Sequence, residues 1–194
     1  MNRGGEAQKV DSMRASIWLG VAVVSIGALG GQAIVPGRAN GTAKCVRRAY
    51  ALMEGGSCDE AAAVLERGLQ QNPADACLHA ALAEALNGMG CSSQALDHYS
   101  IWARLEPHNP SALWALGTAY AGCHRYREAI STLQRYASLG GVDRAFYRLL
   151  SYCYRKAGQP AQARRARHKA DLLETLTRRL QRQPPGTPGI WQYM

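Results

Sequence analysis

The chain has 194 residues with a formal net charge of +9, and 47% of its residues are hydrophobic. This length leaves room for one domain with short appendages. The composition includes a single Phe, and no run rich in Val and Ile occurs outside the N-terminal region, which excludes a β-rich fold and indicates an all-α class. Most of the positive charge lies near the C-terminus, since residues 155–182 contain nine Lys or Arg and two acids.

The N-terminal region contains a long uncharged segment, residues 15–37. A membrane-spanning helix needs about 20 apolar residues, whereas the densest apolar part, Ile17–Leu29, has the length of a signal-peptide core. Small residues also allow cleavage after Ala33. We therefore predict that residues 1–35 are a signal peptide or a membrane anchor and that residues 36–41 are a linker. A hydrophobic helix that folds onto the rest of the chain is the alternative.

The segment that follows is periodic. Each of four consecutive windows of 34 residues contains two stretches with apolar residues at helical spacing, separated by a short break. Small residues recur where the two helices of a window would cross, because closely spaced backbones leave no room for longer side chains. These positions are Ala49, Ala83, Gly117 and Ser151 in the first helices and Ala61, Ala95, Ala129 and Ala163 in the second helices.

This order of apolar and small residues resembles the tetratricopeptide repeat (TPR), whose period is about 34 residues. The resemblance implies an all-α TPR helical-repeat solenoid, a right-handed superhelix of antiparallel helix pairs, over residues 42–182. His124 departs from the pattern, because the other windows have Gly at this turn position. Residues 183–194 are rich in Pro and Gly and are expected to form a disordered tail. The implied repeats are 42–75, 76–109, 110–143 and 144–177, with the final helix extended.

The six cysteines form no C-x-x-C motif, so the pattern does not favour a zinc or thioredoxin-like site. One interpretation is that they are small buried hydrophobic residues. An exported chain would instead meet an oxidising compartment. In that case Cys58 and Cys91, which fall at the corners of neighbouring repeats, are the favoured disulfide pair, and Cys45 with Cys77 is the second candidate.

The resemblance also implies a concave groove lined by the first helix of each repeat. We predict that Trp114 and Tyr152, with Arg148 and Arg155 beside them, form its dominant partner-binding end, because Trp, Tyr and Arg are enriched among interface hot spots. The expected partner is an extended or helical protein segment with apolar and acidic residues. Alternatively, Tyr50, Trp114 and Tyr152 pack between helices. The predicted groove residues are Tyr50, Met53, Glu84, Asn87, Trp114, Thr118, Arg148, Tyr152 and Arg155.

The basic C-terminal helix has three interpretations. It is a solvated cap of the stack, a surface for anionic lipid if the chain is anchored nearby, or a nucleic-acid-binding element. Nucleic acid is the least favoured partner, because no aromatic residues are interleaved with the charges. A positive field from this helix would also attract an acidic protein partner.

No catalytic, metal-binding or cofactor-binding motif is present in the sequence. We therefore predict a non-enzymatic protein-protein interaction scaffold with no cofactor. The N-terminal segment places it in the bacterial envelope, periplasmic or anchored in the inner membrane, where it would assemble or stabilise a secretion, pilus or envelope-biogenesis complex. A soluble TPR chaperone similar to those of type III secretion, and an accessory subunit of an enzyme, are the alternatives.

Overall fold

The computed structural model describes the backbone of residues 36–182 and the side chains of residues 41–180. The predicted signal peptide or anchor and the predicted tail lie outside the described residues. Within residues 36–182 the chain forms eight α-helices and no strand. They are α1 (Pro36–Glu54), α2 (Cys58–Gln71), α3 (Ala76–Gly88), α4 (Ser92–Leu105), α5 (Pro110–Gly122), α6 (Tyr126–Ser138), α7 (Arg144–Lys156) and α8 (Pro160–Arg182).

From α2 onward each helix packs against the next helix in the sequence. α1 starts at Pro36, so the backbone is helical over the segment predicted as a linker. Proline suits the first turn of a helix, because the N–H that it lacks has no partner there in any case. None of the described helices is both long enough and apolar enough to cross a membrane.

Side-chain caps start the first helix of three pairs. The Asp75 carboxylate accepts hydrogen bonds from the backbone N–H groups of Cys77 and Leu78, at 3.0 and 3.2 Å. Asn109 caps α5 in the same way and Asp143 caps α7. Each cap satisfies N–H groups that have no partner within the helix. These short polar side chains therefore set where α3, α5 and α7 begin.

Seven of the eight small residues predicted at the helix crossings are buried, and Ser151 is half-buried. Ala49, Ala61, Ala83, Ala95 and Ala129 are at most 1% exposed. Any longer side chain at these positions would push the paired helices apart. The buried residues form two clusters, one spanning α1–α5 and one spanning α5–α7, and the half-buried Tyr120 and Tyr136 pack against both.

A residue with positive φ closes the turn inside each helix pair. Gly56, Gly90 and Gly158 have φ values of 82°, 80° and 76°, and His124 has a φ of 61°. A residue with a Cβ pays about 1–2 kcal/mol for this left-handed conformation. His124 offsets part of that cost, because its Nδ1 lies 2.8 Å from the Tyr126 hydroxyl.

Replacing His124 with glycine should therefore raise the free energy of unfolding by about 0.5–1 kcal/mol. Urea denaturation of the full chain measures this change. The matched control is Gly90→His, which places the same side chain in the same turn conformation and should lower stability by about 1–2 kcal/mol. A loss of stability in His124→Gly would mean that the contact with Tyr126 outweighs the backbone strain.

Candidate functional site

The groove residues predicted from the sequence lie on α1, α3, α5 and α7, and they differ in exposure. Asn87, Arg148 and Arg155 are exposed. Met53 is only 8% exposed and packs in the first core cluster, so it supports the fold and offers little surface to a partner. The remaining groove residues are half-buried: Tyr50, Glu84, Trp114, Thr118 and Tyr152.

Three residues from three helices meet near the N-terminal end of this surface. The Tyr50 hydroxyl on α1 lies beside the Glu84 carboxylate on α3. Burial raises the pKa of Glu84 to about 7, although the interaction with Tyr50 acts in the opposite direction. Burial and the Glu84 charge also raise the pKa of Tyr50 and of Tyr99, which lies on α4. Within this group, the Glu84 carboxyl can therefore donate or accept a proton near neutral pH.

A cationic aromatic group, here called the Tyr152 cluster, lies at the C-terminal end. It comprises Tyr152, Tyr126, His124, Arg155 and Lys156. The Arg155 guanidinium and the Lys156 ammonium lie 5.7 and 5.8 Å from the centre of the Tyr152 ring. Cations over an aromatic face are weakly attracted to it and remain available to anions. The cluster therefore suits a carboxylate next to an apolar side chain.

The two tyrosines of the cluster support each other. The Tyr126 ring meets the Tyr152 ring edge-on at 5.9 Å. Burial and a hydrogen bond with Tyr152 raise the pKa of Tyr126 to about 12. The neighbouring Arg125 forms an ion pair with Glu128, in which the Arg125 Nε lies 2.9 Å from the Glu128 Oε1. The Tyr126 hydroxyl therefore stays protonated at neutral pH and can act as a hydrogen-bond donor.

Trp114 belongs to a different aromatic group from Tyr152. Its ring centre lies 5.3 Å from that of Tyr136, which in turn lies 5.9 Å from Phe146. Phe146 continues the contact to Tyr147 at 5.0 Å. The chain of rings joins α5, α6 and α7, so Trp114 contributes to packing between helices. This arrangement favours the alternative interpretation for Trp114, whereas Arg148 and Arg155 remain exposed.

Tyr99, Tyr126 and Lys156 were not predicted from the sequence to belong to the site. Tyr99 and Tyr126 lie on second helices, which the repeat pattern assigns to the side away from the groove. The one available hint for the cluster was the sequence around Arg155, where Tyr152, Tyr154 and Lys156 place further aromatic and cationic side chains within two turns of one helix. Which of them would meet Tyr126 depends on how α6 and α7 pack.

The six cysteines all lie in the part of the chain that the structure describes, and all are free thiols. Cys58 and Cys91 are half-buried and pack against the first core cluster. Burial raises the pKa of Cys153 to about 12, which makes this thiol unreactive near neutral pH. The two disulfide pairs proposed from the sequence stay predictions.

A pair of histidines links α3 and α4. The His79 Nδ1 lies 3.0 Å from the His98 Nδ1, and the His79 Nε2 lies 3.0 Å from the Pro73 carbonyl oxygen. Burial lowers the pKa of His98. Within the described residues, no three His, Cys, Asp or Glu side chains are close enough together to hold a metal ion. The pair therefore joins two helices and the preceding turn.

No family model matches the chain, and no curated protein matches it. Among solved structures, MamA MSR-1 matches with a TM-score of 0.64 and 20% identity, covering 70% of this chain and 78% of that chain. A crystal structure of MamA matches with a TM-score of 0.65 and 18% identity, covering 73% and 82%. MamA 41-end from Desulfovibrio magneticus RS-1 matches with a TM-score of 0.64 and 22% identity, covering 69% and 76%.

MamA is a helical-repeat protein of the TPR type. At such low sequence identity, the similarity to MamA shows the fold and nothing more. Together with the all-helical structure, this similarity confirms the predicted all-α class and the TPR-type helical-repeat fold. The number of repeats and their register stay predictions.

Proposed function

We propose that this chain is a non-enzymatic scaffold that binds a partner protein in a groove formed by the first helices of four TPR repeats. The observation that carries the proposal is the Tyr152 cluster, an aromatic surface with two cations, in which Tyr152 and Arg155 hold predicted groove positions. Exposed Arg beside a half-buried Tyr is typical of protein interfaces. The TPR-type fold supports a protein as the partner.

The partner segment is proposed to be extended or helical, with an acidic residue next to an apolar one. The acidic residue would pair with Arg155 or Lys156, and the apolar side chain would contact the exposed part of the Tyr152 ring. Glu84 and Tyr50 at the other end of the groove would bind polar groups, because both carry hydrogen-bonding atoms on a half-buried surface.

We further propose that the protein is exported or membrane-anchored and assembles or stabilises a complex of the bacterial envelope. The uncharged segment at residues 15–37 supports this location. The test of this location is a fusion, placed after Ala43, to a reporter that is active only in the periplasm. Activity of the fusion is expected, whereas an inactive but well-expressed fusion would favour the soluble chaperone.

Capture of partners from solubilised membranes with the full chain as bait is the first experiment on function. For a captured partner, Arg155→Ala should weaken binding by about 1–2 kcal/mol, because a cation that contacts an acidic residue is lost. Arg155→Glu should in addition slow association at low salt. Titration calorimetry and stopped-flow mixing measure the two effects.

Two further variants separate binding from folding. Arg67→Ala changes an exposed arginine on α2, outside the groove, and should bind as the wild type does. Trp114→Ala should lower stability, because its ring packs on Tyr136. If Arg155→Ala and Arg155→Glu both bind the partner with wild-type affinity, the Tyr152 cluster is not the binding site.

A further inference from the structure

Large apolar side chains stay exposed along one row of α8. Leu172, Leu176 and Leu180 are 51%, 45% and 69% exposed, and their spacing of four residues places them in a row along the helix. The other exposed large apolar residues of the described chain occur singly, at helix ends or in turns. They are Met89, Leu105, Leu139 and Val142.

Among the described residues, nothing covers the leucine row, because α8 contacts α7 through other, smaller side chains. Ala163, Ala166 and Ala170 are the buried residues of α8, and Ser151 on α7 donates a hydrogen bond to the Ala163 carbonyl at 2.8 Å. Large apolar residues are therefore outside the packed face, where a solvated cap would have polar residues.

α8 also extends past its partner helix. Arg144, the first residue of α7, forms an ion pair with Glu174 at 3.3 Å. The eight residues of α8 that follow Glu174 add about 12 Å of helix at a rise of 1.5 Å per residue. Leu176 and Leu180 lie on this extension, which leaves their side of the helix open to another molecule.

Positive charges lie on the same face as the leucine row, at its N-terminal end and along one side. At about 100° per residue, Arg165, Lys169 and Arg179 project within about 60° of Leu176. All three are exposed, and the Lys169 ammonium lies 5.4 Å from the centre of the Tyr147 ring.

The acids of α8 lie elsewhere on the helix. Asp171 and Glu174 project from the opposite half, and Glu174 is paired with Arg144 and Arg178. The leucine row therefore has two cations at its N-terminal end, Arg165 and Lys169, and one at its side, Arg179. Within the described residues its half of the helix carries no acid.

We propose that the leucine row of α8 is a second docking surface, which binds an amphipathic helix of a partner protein with acidic residues beside its apolar stripe. Residues spaced by four form the ridge that packs into the groove between ridges of another helix. The row turns by about 40° at each step, which fits a helix that crosses at an angle. The acids of the partner would pair with Arg165, Lys169 and Arg179.

A second copy of this chain fits the surface less well. In a twofold dimer the same patch meets itself, so two surfaces that each carry an excess of positive charge would be brought together. Like charges brought together in this way oppose association. Charge complementarity therefore favours an acidic partner.

The test uses the full chain and two synthetic peptides about 20 residues long, a length that supports a helix. Both carry a leucine stripe at helical spacing, flanked by glutamates in one peptide and by lysines in the other. Fluorescence anisotropy measures binding. We expect the glutamate peptide to bind about tenfold more tightly than the lysine peptide or better, with affinity that falls as salt is added.

Variants assign this binding to α8. Leu176→Gln combined with Leu180→Gln should weaken the glutamate peptide about tenfold or more, since the apolar contact is lost. Leu139→Gln, an exposed leucine in the turn after α6, should have no effect. Arg165→Glu combined with Arg179→Glu should reverse the preference between the two peptides. Arg155→Glu should leave it intact, which separates this surface from the groove.

Several results would overturn the proposal. They are absence of binding, equal affinity for both peptides, or unchanged affinity in the double leucine variant. Binding to phosphatidylglycerol vesicles that requires Leu176 and Leu180, without peptide binding, would assign the surface to anionic lipid. Self-association in sedimentation experiments that requires the same leucines would assign it to a second copy.

Discussion

Replacing Leu133 with alanine should lower the free energy of unfolding by about 2–5 kcal/mol, because a fully buried side chain is removed and a cavity remains. Leu133 lies on α6 and packs over Gly117 of α5. A Cβ added to Gly117 would be 3.0 Å from the Leu133 Cδ2 and 3.1 Å from its Cγ. The two positions therefore share one space between the paired helices.

The shared space predicts how the two substitutions combine. Gly117→Leu alone should destabilise the protein by about 1–3 kcal/mol through overpacking. In the Leu133→Ala background the same change should restore stability, because the new side chain fills the vacated space. The coupling energy from the double-mutant cycle should be about 1–3 kcal/mol and favourable.

Urea denaturation of the four full-length proteins measures this cycle. Gly122→Leu is the matched control, because Gly122 lies in the same helix and nothing is within 4 Å of a Cβ built there. It should change stability by no more than about 0.5 kcal/mol. Additive effects of Gly117→Leu and Leu133→Ala would contradict the packing of α5 against α6.

The second large effect concerns the dependence of stability on pH. Burial raises the pKa of Glu84 from the usual 4.5 to about 7, so the folded protein holds a proton that the unfolded chain releases. The contribution of this proton to the free energy of unfolding is fully present below pH 4.5 and is lost as the pH rises through about 7. Glu84→Gln keeps a neutral side chain at every pH.

Glu84→Gln should therefore unfold with a free energy about 2–3 kcal/mol larger than the wild type at about pH 8 and nearly equal to it at pH 4.5. Urea denaturation of both proteins across this range provides the measurement. Glu54→Gln changes an exposed carboxylate and should alter stability by no more than about 0.5 kcal/mol at any pH. A gap between wild type and Glu84→Gln that does not widen with pH would exclude a buried, protonated Glu84.

The all-helical class can be predicted from the sequence alone, because each helix has its own apolar spacing and several have their own caps. Asp75, Asn109 and Asp143 need only the backbone of the next turn to start a helix. The positions of the small residues could also be predicted from the sequence. Ala95 and Ala129 must be small wherever two helices cross closely, whatever the rest of the fold does.

Which polar and aromatic residues are available to bind a partner depends on the tertiary structure. Spacing placed Met53 and Trp114 on a predicted groove face, but burial of Met53 and the contact of Trp114 with Tyr136 depend on neighbouring helices. The pKa of Glu84 likewise depends on helices that are distant in the sequence. Exposure of the leucine row on α8 depends on where α7 begins. Burial, pKa and exposure result from contacts between helices, so they cannot be predicted from the residue spacing within one helix.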